Sequence, residues 1–123
     1  MTQSVFEITK AAHFDAAHFL AVGPGEHRYR RMHGHSFRVE ATVRGPADLA
    51  CGWVLDLGAL DEALGAAASA LDHGLLNEKP GLETPTLERL CLYFAEQLKP
   101  AFPGLSRIVV ARPSVGEACA LTL

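Results

Sequence analysis

The chain has 123 residues, 49% hydrophobic and 20% charged, a balance that suits one globular domain over residues 1–123 and excludes a disordered or fibrous chain. Its formal charge of -3, with no basic cluster beyond Arg28, Arg30 and Arg31, offers nucleic acid no electrostatic footprint. Cys51, Cys91 and Cys119 lack C-x-x-C spacing, and no stretch approaches the roughly 18 apolar residues of a membrane span, so a reducing, cytoplasmic setting without membrane contact is expected.

Residues 5–19 read as a first strand, with Val5, Glu7 and Thr9 on one face, Phe6, Ile8 and Lys10 on the other, and His13 to His18 following. The Gly23-Pro24-Gly25-Glu26 cluster predicts a turn, and the basic stretch from His27 to Met32 an exposed loop. Alternation returns over residues 35–45, where Phe37, Val39, Ala41 and Val43 face one way, predicting a second strand antiparallel to the first. Trp53 to Leu57 forms a short apolar run in which Trp53 reads as core and Asp56 as the tie of a backbone turn beside the site.

From Gly58 the period becomes helical. Leu57, Leu60, Leu64, Ala67, Ala68 and Leu71 form one stripe, predicting a helix over 58–71. A second helix starts after Thr84-Pro85-Thr86, buries Leu87, Leu90, Cys91, Phe94, Ala95 and Leu98, and stops at Pro100. Residues 108–111 and 118–123 make a final hairpin around a turn from Pro113 to Glu117. The order β-β-α-α-β-β predicts an α+β fold, an antiparallel four-stranded sheet with two helices on one face, whose free edges invite edge-to-edge oligomerisation.

His33-Gly34-His35 is the sharpest local feature, because side chains two apart in a strand point the same way. A third imidazole from the facing strand, His18, would complete a three-histidine site with an open position, as in catalytic zinc; the competing reading is polar strand-end histidines with ordinary hydrogen bonds. Asp72-His73 after the first helix fits either a proton-transfer pair or a helix-end histidine beside a turn aspartate. Tyr29 is placed where a loop can bring a phenol toward a bound ion, or where it simply packs on the surface. Arg28, Arg30 and Arg31 read as a solvated face, and His13 and His27 as solvated histidines.

Five segments, Phe14-Asp15-Ala16-Ala17-His18, His33-Gly34-His35-Ser36-Phe37, Trp53-Val54-Leu55-Asp56-Leu57, Leu71-Asp72-His73-Gly74-Leu75-Leu76-Asn77 and Pro85-Thr86-Leu87-Glu88, occur in order along nearly the whole chain. Together they resemble the 6-pyruvoyl tetrahydropterin synthase and 6-carboxytetrahydropterin synthase family. The resemblance implies a tunnelling fold (T-fold), in which trimers close into a barrel and stack as a homohexamer with active sites between subunits. It implies Zn2+ on His18, His33 and His35, a proton relay by Asp72 and His73, and Thr86 in the pocket of a small pterin-like substrate.

Two positions depart from the family pattern. Tyr29 stands four residues before His33, where the family carries its catalytic cysteine, and a phenol is about 1.5 units less acidic than a thiol. Arg112 stands where the family anchors the pterin on a glutamate; Glu117, five residues on, is the alternative carboxylate, or Arg112 itself binds a substrate carboxylate or phosphate. The expected function is a zinc-dependent lyase resembling the synthases, acting on 7,8-dihydroneopterin triphosphate or a related substrate. The alternative is a zinc- and pterin-binding homo-oligomer without synthase activity.

Overall fold

A computed structural model describes residues 4–21 and 28–123. The expected Gly23 to Glu26 turn and His27 lie outside the described residues. Four long strands form one antiparallel sheet in the order β1-β2-β3-β4: β1 (Phe6–His18), β2 (His33–Gly45), β3 (Leu105–Arg112) and β4 (Glu117–Thr122). Strand two begins at His33 rather than His35, since His33 pairs with His18 and extends the β1–β2 register through the whole H-G-H segment.

Helices α1 (Leu57–Ser69) and α2 (Leu87–Leu98) cover one face. Asp56 caps α1 by accepting from the Gly58 N–H at 2.8 Å, and Thr86 caps α2 by accepting from the Arg89 N–H at 3.2 Å. Each helix buries its aliphatic stripe, Leu60, Leu64, Ala67 and Ala68 in α1 and Leu87, Leu90, Cys91, Phe94, Ala95 and Leu98 in α2. They meet Phe14 and Ala16 of β1, Phe37, Val39, Ala41 and Val43 of β2, and Ile108 and Val110 of β3 in one hydrophobic cluster. No described helix is long and apolar enough to cross a membrane.

Three expectations need correction. Trp53 is not core: it is 51% exposed, because the segment before α1 lies in an open turn closed by the Asp48 N–H to Trp53 carbonyl bond. Leu57 is also exposed, because the buried stripe starts at Leu60, one turn inside the cap. Asp56 does tie a turn, yet not beside the histidines: Val54 packs near Gly45, at the end of β2 opposite His33.

The uncovered face of the sheet is polar. Thr9 and Thr42 share a hydroxyl–hydroxyl bond of 2.8 Å, Arg38 pairs with Glu40, and Ser36 donates to Asp15 at 2.5 Å. Such a face does not need a hydrophobic cover of its own.

Candidate metal centre and the groups around it

Antiparallel register brings the three histidines together. His18 lies directly opposite His33, and Ala16 opposite His35, so alternation puts all three imidazoles on the helix-covered face at one end of the sheet. The ring centroids stand 4.6 Å (His18–His33), 4.8 Å (His33–His35) and 5.1 Å (His18–His35) apart, and one ligand atom from each falls within 4.8 Å of the others. Phe37 floors the cluster, edge-on to His18 at 5.9 Å and to His35 at 5.7 Å, and stacks on Phe14.

Two of the rings are oriented from behind. His18 is fully buried, and its Nδ1 lies 3.0 Å from the Pro85 carbonyl, a geometry that puts the proton on Nδ1 and leaves Nε2 with a free lone pair. That Nε2 is buried with no hydrogen-bond partner. An orphaned acceptor in a dry site is costly unless a ligand satisfies it. His33 repeats the device, its Nδ1 lying 2.7 Å from the Arg31 carbonyl. Asn77 clamps the neighbouring backbone, accepting from the Phe19 N–H at 3.1 Å and donating to the Phe19 carbonyl at 2.9 Å.

Burial and neighbouring charge disfavour the charged forms of His18 and His35. Burial chiefly, opposed by the Pro85 bond and assisted by the charges of His33, His35 and Arg112, lowers the His18 pKa to about 4. Burial, then Arg112 and His33, lowers that of His35 as well, with Glu117 acting in the opposite direction. Neutral imidazole is the metal-binding form. Three converging imidazole nitrogens, a buried lone pair and backbone acceptors behind two of the rings fit a divalent ion such as zinc.

Asp72 and His73 sit elsewhere. The Asp15 N–H donates to Asp72 at 2.8 Å, the His73 N–H to the Asp15 carbonyl at 2.6 Å and the Ala17 N–H to the Gly74 carbonyl at 2.9 Å, so the segment after α1 pairs with the outer edge of β1 at its Asp15–Ala17 end only. His73 Nδ1 lies 2.7 Å from Asp72, whose carboxylate raises the imidazole pKa; the Asp15 N–H and His73 in turn hold Asp72 low. His73 has φ 56°, a left-handed conformation that a non-glycine residue holds only when its surroundings impose it. Asp15, Ser36, His73, Gly34, His35 and Ser114 border an open concavity at this end of the sheet.

Tyr29 lies in a one-turn helix, Arg28–Arg30, and its carbonyl accepts from the Leu20 N–H at 2.7 Å, two residues beyond His18. Thr86 follows Pro85 directly, so the α2 cap and the His18 acceptor share one segment. Arg112 lies on the same face as the triad, next to Val110 in alternation, and its Nε is 3.0 Å from Glu117, its partner on β4. His13 is exposed and Cys91 buried, as expected. Sequence reasoning overlooked the Pro85 carbonyl and the orienting role of Asn77; only the Pro-Thr and Leu-Leu-Asn motifs hinted at them.

An antiparallel sheet with both helices on one face and three histidines at its end defines a T-fold protein with a candidate metal centre. The profile of the 6-pyruvoyl tetrahydropterin synthase family matches residues 7–121, and the chain belongs to that family. It is 36% identical over 109 residues to a 6-carboxy-5,6,7,8-tetrahydropterin synthase of Synechocystis, covering 84% of this chain and 83% of the relative. It is 31% identical over 93 residues to a dihydroneopterin monophosphate aldolase of Pyrococcus furiosus, covering 76% and 75%. The structure of the Caenorhabditis elegans 6-pyruvoyl tetrahydropterin synthase superposes with a TM-score of 0.86 at 21% identity, covering 100% of this chain and 99% of that one.

Proposed function

We propose that this chain is a zinc-dependent lyase that acts on the side chain of a phosphorylated dihydropterin, 7,8-dihydroneopterin triphosphate or a close relative. The observation that carries the reading is the buried, unpartnered Nε2 of His18, converging with His33 and His35 while Pro85 and Arg31 hold the ring tautomers. A divalent ion on the three histidines would supply Lewis acidity, making the substrate's side-chain hydroxyls and the adjacent carbon easier to deprotonate. Tyr29 is the base in this reading. His73, whose pKa Asp72 raises, delivers a proton to the developing carbon or leaving oxygen. Thr86 and Arg112 bind the substrate, and Glu117 is the ion-pair partner of Arg112.

The Asp72–His73 pair leans on the outer edge of β1 while the triad faces the helices, an arrangement suited to a site completed between copies. β1 and β4 are the sheet's outer strands, which supports barrel closure into a homohexamer.

A second reading is favoured by the Pyrococcus furiosus aldolase, whose match spans 76% of this chain. Here the base takes the proton of the second side-chain hydroxyl, and the bond between the first and second side-chain carbons breaks. A phosphorylated two-carbon aldehyde then departs, the electron pair passes into the pterin ring, and a proton from His73 restores the remaining carbon. One experiment separates the readings: zinc-loaded protein is incubated with dihydroneopterin triphosphate and with the monophosphate, and products are resolved by chromatography. A tetrahydropterin with released triphosphate supports the synthase, and a hydroxymethyl pterin with a two-carbon aldehyde phosphate supports the aldolase. Tyr29→Phe should abolish either. Zinc and pterin binding without turnover of either substrate would leave a non-catalytic binder and sink both.

A further inference from the structure

The helix-covered face carries one more charged pair at the triad's end. Alternation along β3 places Arg112 on this face after Ile108 and Val110, and register places Glu117 opposite it on β4. Crossing the sheet along this end, the chain therefore sets three imidazoles, then a guanidinium, then a carboxylate. The guanidinium is near enough that its charge acts on both His18 and His35, and that of Glu117 on His35.

The two partners are unequal. The Arg112 side chain is only 15% exposed, whereas that of Glu117 is 51% exposed. Arg112 Nε lies 3.0 Å from Glu117 Oε1 yet is buried with no aligned hydrogen bond, so the contact is an ion pair in poor hydrogen-bond geometry. Arg112, with its Nε enclosed, is the less exposed partner, while a half-exposed glutamate at the start of an edge strand is free to turn outward. Gly116, at φ 68°, precedes Glu117 and gives the turn a left-handed joint. Arginine's planar fork matches carboxylate and phosphate oxygens better than the present one-sided contact.

The geometry points to Arg112 as an anion receptor beside the metal centre, latched by Glu117 when empty and opened when a carboxylate or phosphate group of the substrate displaces that glutamate. This rests on the triad being the reaction centre and narrows the substrate class to pterins, or similar rings, that carry an acidic group within reach of Arg112. A neutral ring edge made of N–H donors would meet donors there instead.

Calorimetric titration of the zinc-loaded, full-length protein with inorganic phosphate, with pyruvate and with uncharged dihydroneopterin tests it. Phosphate or pyruvate, whichever binds, identifies the source of the anion. Arg112→Gln should weaken that binding at least tenfold while zinc content and dihydroneopterin affinity hold, and Arg112→Lys should fall between. Glu117→Gln should tighten anion binding severalfold by removing the competitor. Because that variant gains affinity, the test survives if Arg112→Gln fails to fold. Anion affinity unchanged in Arg112→Gln, or weakened in Glu117→Gln, would overturn the assignment. Failure of dihydroneopterin alone to bind would count against the pterin reading and leave the anion arms to decide this one.

Discussion

Replacing His18 by leucine separates the cost of the empty centre from the gain of the filled one. In the metal-free chain two terms oppose each other. Leucine removes a buried, unpaired Nε2, relieving about 1–3 kcal/mol, and also removes the bond to the Pro85 carbonyl, which leaves that buried acceptor unmet at a similar cost. Metal-free stability should therefore change by no more than about 2 kcal/mol in either direction. With zinc the balance differs. Free ion at a thousand times its dissociation constant stabilises the native chain by about 4 kcal/mol. At roughly 4 °C per kcal/mol for a domain of this size, that is a rise of about 15 °C in Tm. Scanning calorimetry on chelator-stripped protein, at fixed protein concentration with and without zinc, reads both numbers. The wild type should show the rise and His18→Leu almost none. A zinc-dependent rise of equal size in both proteins would refute the assignment of His18 as a ligand, and no rise in the wild type would refute the metal centre altogether.

Phe37 is fully buried between Phe14 and the histidine rings, so Phe37→Ala should cost about 3–5 kcal/mol in urea unfolding and weaken zinc binding; a loss under about 1 kcal/mol would contradict its place under the site. His73 should titrate above its ordinary value by proton NMR, and Asp72→Asn should bring it back down. Because the folded-state pKa is the higher one, the pair's contribution to stability is complete below the unfolded value near 6.5 and fades as pH rises through the folded value. For Asp72, held low, the contribution is present above the ordinary carboxylate range and lost as pH falls through its depressed value; a His73 titration below 6.5 would contradict the pairing of His73 with Asp72. Thr86→Ala should cost about 1 kcal/mol through the lost α2 cap, and zinc affinity should fall with it, since Pro85 holds His18 from the same segment. Full stability in that variant would mean that the cap carries no weight.

Local pattern carried much of this molecule. Period-two alternation located β2 and its buried face, Thr86 and Pro100 bracketed α2, and spacing two apart put His33 and His35 on one side of a strand before any partner was known. These properties depend on neighbours a few residues away, and such neighbours are written in the chain. Trp53 and Leu57 misled because an apolar residue announces its own hydrophobicity and not whether the backbone beside it turns toward the core. What made the three histidines a centre was long-range register: His18 faces His33 only because β1 and β2 pair residue for residue, and its ring is set by the Pro85 carbonyl, 67 residues away. The same holds for Arg112 and Glu117, whose pairing follows from β3–β4 register, and for Asp72 and His73, which grip the outer edge of β1. A sequence lists the groups able to bind, accept or donate. Which of them lose water together, and which lone pair is left without a partner, is decided only when distant strands pack.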